Sequence, residues 1–131
     1  LEAHPMAKRI EMIEGSSVDV DVVARVKEIA ADHERVMVML DSMHTHDHVL
    51  HELRAYAPLV TKGCFLIVFD TIIERMPPDA FPDRPWGRGD NPATAVEAFL
   101  ETSERFVVDK ATEDPLLITV APGGYLRCVR E

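Results

Sequence analysis

Two short apolar runs, each stopped by an aspartate, constrain this chain more than any other feature. Val36 to Leu40 reads VMVML and ends at Asp41, while Cys64 to Phe69 reads CFLIVF and ends at Asp70. Unbroken apolar runs of this length, rich in Val and bounded by polar breaks, predict strands buried on both faces, as in a parallel sheet. Between them Val49, Leu50, Leu53 and Tyr56 recur at helical spacing, and Pro58 with Lys62-Gly63 turns the chain back. Strand, helix and strand in this order form a βαβ unit with a right-handed crossover, so the two aspartates should become neighbours. They would stand at the carboxyl edge of the sheet, where open α/β sheets bind ligands.

The flanking chain reads as support for that edge. Leu1 to Lys8 suggests the end of a helix or a loop, and the alternation in Arg9 to Ile13 (RIEMI) a short strand ended by Glu14-Gly15-Ser16-Ser17. Ser17 or Asp19 can cap the next helix, whose Val22, Val23, Val26, Ile29 and Ala30 share one face. Residues 76–91 (MPPDAFPDRPWGRGDN) hold four prolines and the single Trp86, too long for an idle connection. This stretch is either an ordered lid over the strand ends or a plain surface excursion. Asn91-Pro92 starts a helix as cap and first residue, with Ala95, Val96, Phe99 and Leu100 facing inward. Arg105 to Asp109 and Leu116 to Ala121 read as strands, and Pro122-Gly123-Gly124 leads into a last one, Tyr125 to Val129, expected as an antiparallel edge.

Composition removes several function classes. The 131 residues suit one domain, with 23 acidic against 14 basic side chains and a formal charge of −9. No Lys/Arg cluster gives the positive footprint that nucleic acid requires. No apolar run approaches a membrane span and no signal-peptide pattern opens the chain, so a cytoplasmic protein is expected. Cys64 and Cys128 form no CxxC and read as free buried thiols.

Three clusters carry candidate chemistry. Asp41 and Asp70 can share a hard divalent cation such as Mg²⁺, or they can merely cap the helices that follow. Four histidines (His44, His46, His48, His51) crowd the first strand end, and His44-Thr45-His46-Asp47-His48 falls one residue short of an HxHxDH zinc signature. A metal-dependent hydrolase built on them is one alternative; His44 as a general base is another. The Glu14-Gly15-Ser16-Ser17 turn offers small residues and hydroxyls to a ligand, or only a helix cap. GxGxxG, P-loop and nucleophile-elbow motifs are absent.

Segments IEGSS, LDSMHTHDHVLHELRAYAPLV, GCFLIVFDTIIE, FPDRPWG and LLITVAPGGYL resemble the family of cephalosporin hydroxylases and rhamnosyl O-methyltransferases. Members are similar to class I S-adenosylmethionine-dependent methyltransferases, and the likeness runs along nearly the whole chain. It implies a Rossmann-like three-layer α/β/α sheet with helices on both faces, mostly parallel with an antiparallel edge, here without its first two strands. Residues 1–131 would be one domain, the carboxyl-terminal portion of that fold. The resemblance places Gly15, Ser16, Ser17 and Asp41 beside S-adenosylmethionine, Asp41 and Asp70 on a divalent metal, and His44 with Asp41 at the reacting hydroxyl. Some relatives carry Glu before the second aspartate; Phe69 stands there, which would leave coordination to Asp70 and Thr71. Implied is O-methyl transfer to a hydroxyl of a sugar, glycan or related small molecule, in a homo-oligomer. The glycine-rich turn and acidic residue that grip the cofactor in that fold have no counterpart here. The alternative is therefore an inactive or partner-dependent half-domain that serves assembly.

Overall fold

The computed structural model describes residues 4–131. Of the opening Leu1 to Lys8 stretch, residues 1–3 lie outside the described part; the rest is a turn leading into a 3-10 helix, Ala7–Arg9. Four strands follow, β1 (Val38–Leu40), β2 (Phe65–Val68), β3 (Phe106–Val108) and β4 (Tyr125–Cys128), in the order β1-β2-β4-β3. The βαβ expectation holds: β1 pairs parallel with β2, Val38 opposite Leu66 and Leu40 opposite Val68. β4 runs antiparallel to both β2 and β3. The sheet is thus mixed, with one parallel pair, rather than mostly parallel. β4 is not an edge but an inner strand, and its Leu126 and Cys128 are buried because they have neighbours on both sides.

Three main helices, α1 (Val20–Ala31), α2 (His46–Tyr56) and α3 (Pro92–Thr102), accompany a single turn, α4 (Lys110–Glu113). Strand register puts Leu40, Leu66, Val68, Phe106, Leu126 and Cys128 on one face. There they form the core with Val49, Leu53 and Tyr56 of α2 and Ala95, Val96 and Phe99 of α3, while Val23 and Val26 bring α1 against its border. The apolar face expected for α1 is the one it turns inward: Val22, Val23, Val26, Ile29 and Ala30 are half-buried and their neighbours exposed. Cys64 and Cys128 are free, buried thiols, as expected.

Helices therefore cover one sheet face, not both. On the other, Met37, Met39 and Val107 stand 54 %, 58 % and 42 % exposed, so the VMVML strand is buried on one side only. Two expected strands do not form. Among the described residues no strand pairs with Arg9 to Ile13, and Met12 is 72 % exposed. Leu116 to Ala121 gives way to a 3-10 helix, Asp114–Leu116, after which Leu117 takes a positive φ and Leu117 and Ile118 project outward.

Asn91 begins α3 with a capping box: its side chain accepts from Ala93 N–H while Thr94 answers the Asn91 backbone. Gly124 is required where β4 meets β2, since a Cβ there would fall 2.2 Å from the Val68 carbonyl oxygen.

Candidate active site at the strand ends

Asp41 follows β1 and Asp70 follows β2, so the parallel pairing delivers both to one edge. Neither is a helix cap of the ordinary kind. Thr45, not Asp41, holds the position before α2, and Asp70, which precedes a 3-10 helix (Thr71–Arg75), makes no side-chain capping bond. Asp70 instead holds the left-handed conformation at φ 56° and ψ 22°, a strained choice for a residue with a Cβ and common at functional sites. His44 reaches between the two. Its Nε2 lies 2.7 Å from Asp70 Oδ2 and 3.6 Å from Asp41 Oδ1. The short approach is not aligned as a hydrogen bond, and both ring nitrogens are buried without a hydrogen-bond partner. One ligand atom from each of Asp41, His44 and Asp70 falls within 4.8 Å of the others, so this trio could hold a metal ion.

The remaining histidines part company, which removes the zinc hydrolase reading. His46 Nδ1 pairs with Thr94 Oγ1 at 2.8 Å, His48 Nε2 with Ser17 Oγ at 3.1 Å, and His51 Nδ1 with the Asp47 carbonyl at 2.7 Å. Two, four and seven positions beyond His44, on and entering a helix, they point to different neighbours, and among the described residues only the Asp41–His44–Asp70 group converges. Thr71 is no ligand either: it is buried and donates its hydroxyl to the Pro122 carbonyl.

Residues 76–91 pack beside His44 and Asp70. The Trp86 ring centroid lies 5.0 Å from that of His44, and the Arg84 guanidinium sits 5.3 Å over the indole. A cavity of about 260 Å³ opens beneath, lined by His44, Asp70, Ile72, Met76, Phe81 and Trp86 among others. Glu74 fastens the stretch. One carboxylate oxygen accepts from Gly89 N–H at 2.8 Å and Asn91 Nδ2 at 2.6 Å. These bonds, the Gly89 one foremost, hold its carboxyl below the usual carboxylate range. A larger groove of about 540 Å³ runs past Ile72, Leu117 and Ile118, and among the described residues no metal-ligating group converges there.

The Gly15-Ser16-Ser17 turn meets α2 through Ser17. Gly15 has φ +143° and no room for a Cβ, which would meet Val22 at 2.7 Å. Ser17 gives its carbonyl to the Tyr56 hydroxyl and meets His48 through its own. Sequence reading missed what lies behind it: Glu52, 2 % exposed, accepts from Ser42 Oγ at 2.8 Å. Its signal was available, an acidic residue on the apolar stripe of Val49, Leu53 and Tyr56. Burial first and the Glu52 charge second push the Tyr56 hydroxyl above its ordinary pKa.

The family model for rhamnosyl O-methyltransferase/CmcI matches residues 1–129. The chain belongs to that family. Rhamnosyl O-methyltransferases of Mycobacterium bovis and Mycobacterium tuberculosis are similar to it, 30 % identical over 127 residues that cover 93 % of this chain and 49 % of theirs. It thus spans about half the length of the curated relatives it matches. No solved structure matches the chain. For a member of the rhamnosyl O-methyltransferase/CmcI family the mixed α/β sheet is consistent with a methyltransferase-like fold, and no helix among the described residues is long and apolar enough to cross a membrane.

Proposed function

We propose that the chain supplies the acceptor-side half of an S-adenosylmethionine-dependent O-methyltransferase, acting on a hydroxyl of a sugar, glycan or related small molecule. The carrying observation is His44, its nitrogens buried and unpartnered, held between two aspartates at adjacent strand ends. Family membership sets the reaction class. Asp41 and Asp70 would hold a divalent cation, Mg²⁺ in the first instance, which when bound supplies positive charge beside the acceptor oxygen. Gly15, Ser16, Ser17 and Asp41 would line S-adenosylmethionine, whose sulfonium supplies the methyl group. His44 takes the proton that the acceptor hydroxyl gives up on one of its unpartnered ring nitrogens, with Asp70 beside it and the Trp86 ring packed against it. Phe81 and Trp86 exclude water from the cavity and present apolar surface to the acceptor.

Titrating the chain with Mg²⁺ or Mn²⁺ tests the metal role, with Trp86 fluorescence as readout because the indole leans on His44. Asp41→Asn should abolish the response, and methyl transfer with it. An unchanged response together with full activity in Asp41→Asn would overturn the proposal.

The uncovered sheet face of Met37, Met39 and Val107 favours a second reading, a half-domain that acts only with a partner or a second copy. Calorimetric titration with S-adenosylmethionine, alongside sedimentation, separates the two: self-association without cofactor binding supports the second reading.

A further inference from the structure

Glu52 is the most deeply buried charged side chain among the described residues, and the mechanism above leaves it unused. Its Oε1 accepts from Ser42 Oγ at 2.8 Å and stands 3.7 Å from His48 Nε2; its Oε2 is buried with no partner. A carboxylate kept in a core with one oxygen unsatisfied costs stability, and an apolar residue of similar volume would avoid that cost. What the carboxylate does instead is meet two segments at once. Ser42 adjoins Asp41 at the end of β1. His48, one helical turn before Glu52, meets Ser17 Oγ in the Gly15–Ser17 turn at 3.1 Å. Tyr56, one turn after Glu52, donates to the Ser17 carbonyl. The α2 face carrying His48, Glu52 and Tyr56 thus lies between the turn and the strand end, and Glu52 is its centre.

We propose that Glu52 is a positioning residue that sets the Gly15–Ser17 turn and the Asp41–Ser42 strand end in fixed relation through one buried carboxylate. It reaches the strand end directly through Ser42, and the turn through His48. In the reading above, one of these segments lines the cofactor and the other carries the metal ligand, so the inference rests on that reading for its meaning in catalysis. The coupling itself is a property of the folded chain without any ligand. It also accounts for the tolerated loss of stability, since a side chain kept for placement need not be the one that packs best.

Hydrogen exchange on the chain as it exists tests this. Glu52→Met fills the space and removes the unsatisfied oxygen, so the melting temperature should stay level or rise. Amides of residues 15–18 and 41–43 should nevertheless exchange about fivefold faster, because the strand end loses the Ser42 hydrogen bond and His48, which meets the turn, loses the carboxylate 3.7 Å away. Ser42→Ala should speed exchange at 41–43 alone, and His48→Ala at 15–18 alone. Glu52→Gln keeps an acceptor for Ser42 and should restore slow exchange at 41–43. A Glu52→Met chain that melts earlier, fails to fold, or exchanges faster evenly across α2 and the sheet overturns the proposal, because the carboxylate is then structural. Faster exchange at only one of the two segments overturns it as well. Coupling that holds while S-adenosylmethionine gives residues 15–18 no protection in the unsubstituted chain leaves Glu52 as assigned and sinks the methyltransferase reading instead.

Discussion

Glu74→Ala is the substitution that most directly tests how the stretch over the site is held. Glu74 precedes residues 76–91, yet its carboxylate bonds to their far end, at Gly89 N–H and Asn91 Nδ2. Asn91 is fully buried, and its amide donates also to the Gly87 carbonyl at 2.8 Å. Removing Glu74 leaves one buried N–H of that amide without an acceptor, whereas Gly89 N–H is exposed and regains water. A hydrogen bond to a charged group contributes about 1.5–3 kcal/mol when buried, and the exposed one adds little, so the loss should be about 2 kcal/mol. In a domain of this size each kcal/mol moves the melting temperature by about 3–5 °C, which places the shift at about 6–10 °C. Circular dichroism gives the melting curve, and the emission of Trp86, the only tryptophan, should move to the red as the indole leaves His44. The double variant with Asn91→Ala should cost clearly less than the sum of the single changes, because the two side chains share a bond. A shift below about 2 °C, or strict additivity with Asn91→Ala, would refute the reasoning.

Two further outcomes follow from the same structure. Glu113 is pulled both ways: burial raises its pKa, but the Lys110 ammonium, Gly123 N–H and the Arg75 charge outweigh that and leave it lowered. With Glu74 and Glu113 both depressed in the fold, the unfolded chain binds protons first, so stability is level above the ordinary carboxylate pKa of about 4.3 and falls as pH drops through the folded values. Glu74→Gln should flatten that acid decline, and an unaltered acid slope would count against the Glu74 assignment. Gly124→Ala should cost about 3 kcal/mol or more, because the new Cβ meets the Val68 backbone rather than a side chain that can move; a melting temperature equal to that of the unsubstituted chain would contradict the β2–β4 spacing.

The parts of the fold that could be read from the chain are those in which local and tertiary demands agree. The VMVML and CFLIVF runs, the α1 stripe and the Asn91-Pro92 start each carry their own pattern, and a strand forms inside each run and a helix from each of the others. The failures share a cause. RIEMI and LLITVA are apolar enough for strands, but a strand needs a neighbour, and no pattern inside a segment says whether one exists. Pro115 and Pro122 bracket the second of these and have no N–H of their own to give to a ladder. Likewise the alternation of exposed Met37 and Met39 with buried Leu40 records which sheet face has helices, which five apolar letters in a row cannot encode. At the site, the aspartate pair followed from the βαβ unit, because topology alone brings strand ends together. Glu52 and Glu74 did not follow, since each works with partners distant in sequence or through a carboxylate oxygen that only packing leaves unpaired.

The inner position of β4 bears on the order in which the sheet can close. β3 has no partner until Tyr125–Cys128 arrives, and β2 has one on a single side. The β1–α2–β2 unit can pair over a short separation, but the centre of the sheet waits for residues near the end of the described chain. Closing the stretch between β2 and β4 adds an entropic toll that grows only with the logarithm of its length, so it slows folding more than it weakens the fold. Until then the apolar flank of β2 and all of β3 are open. The residues that finish the sheet thus also end its exposure to misassembly.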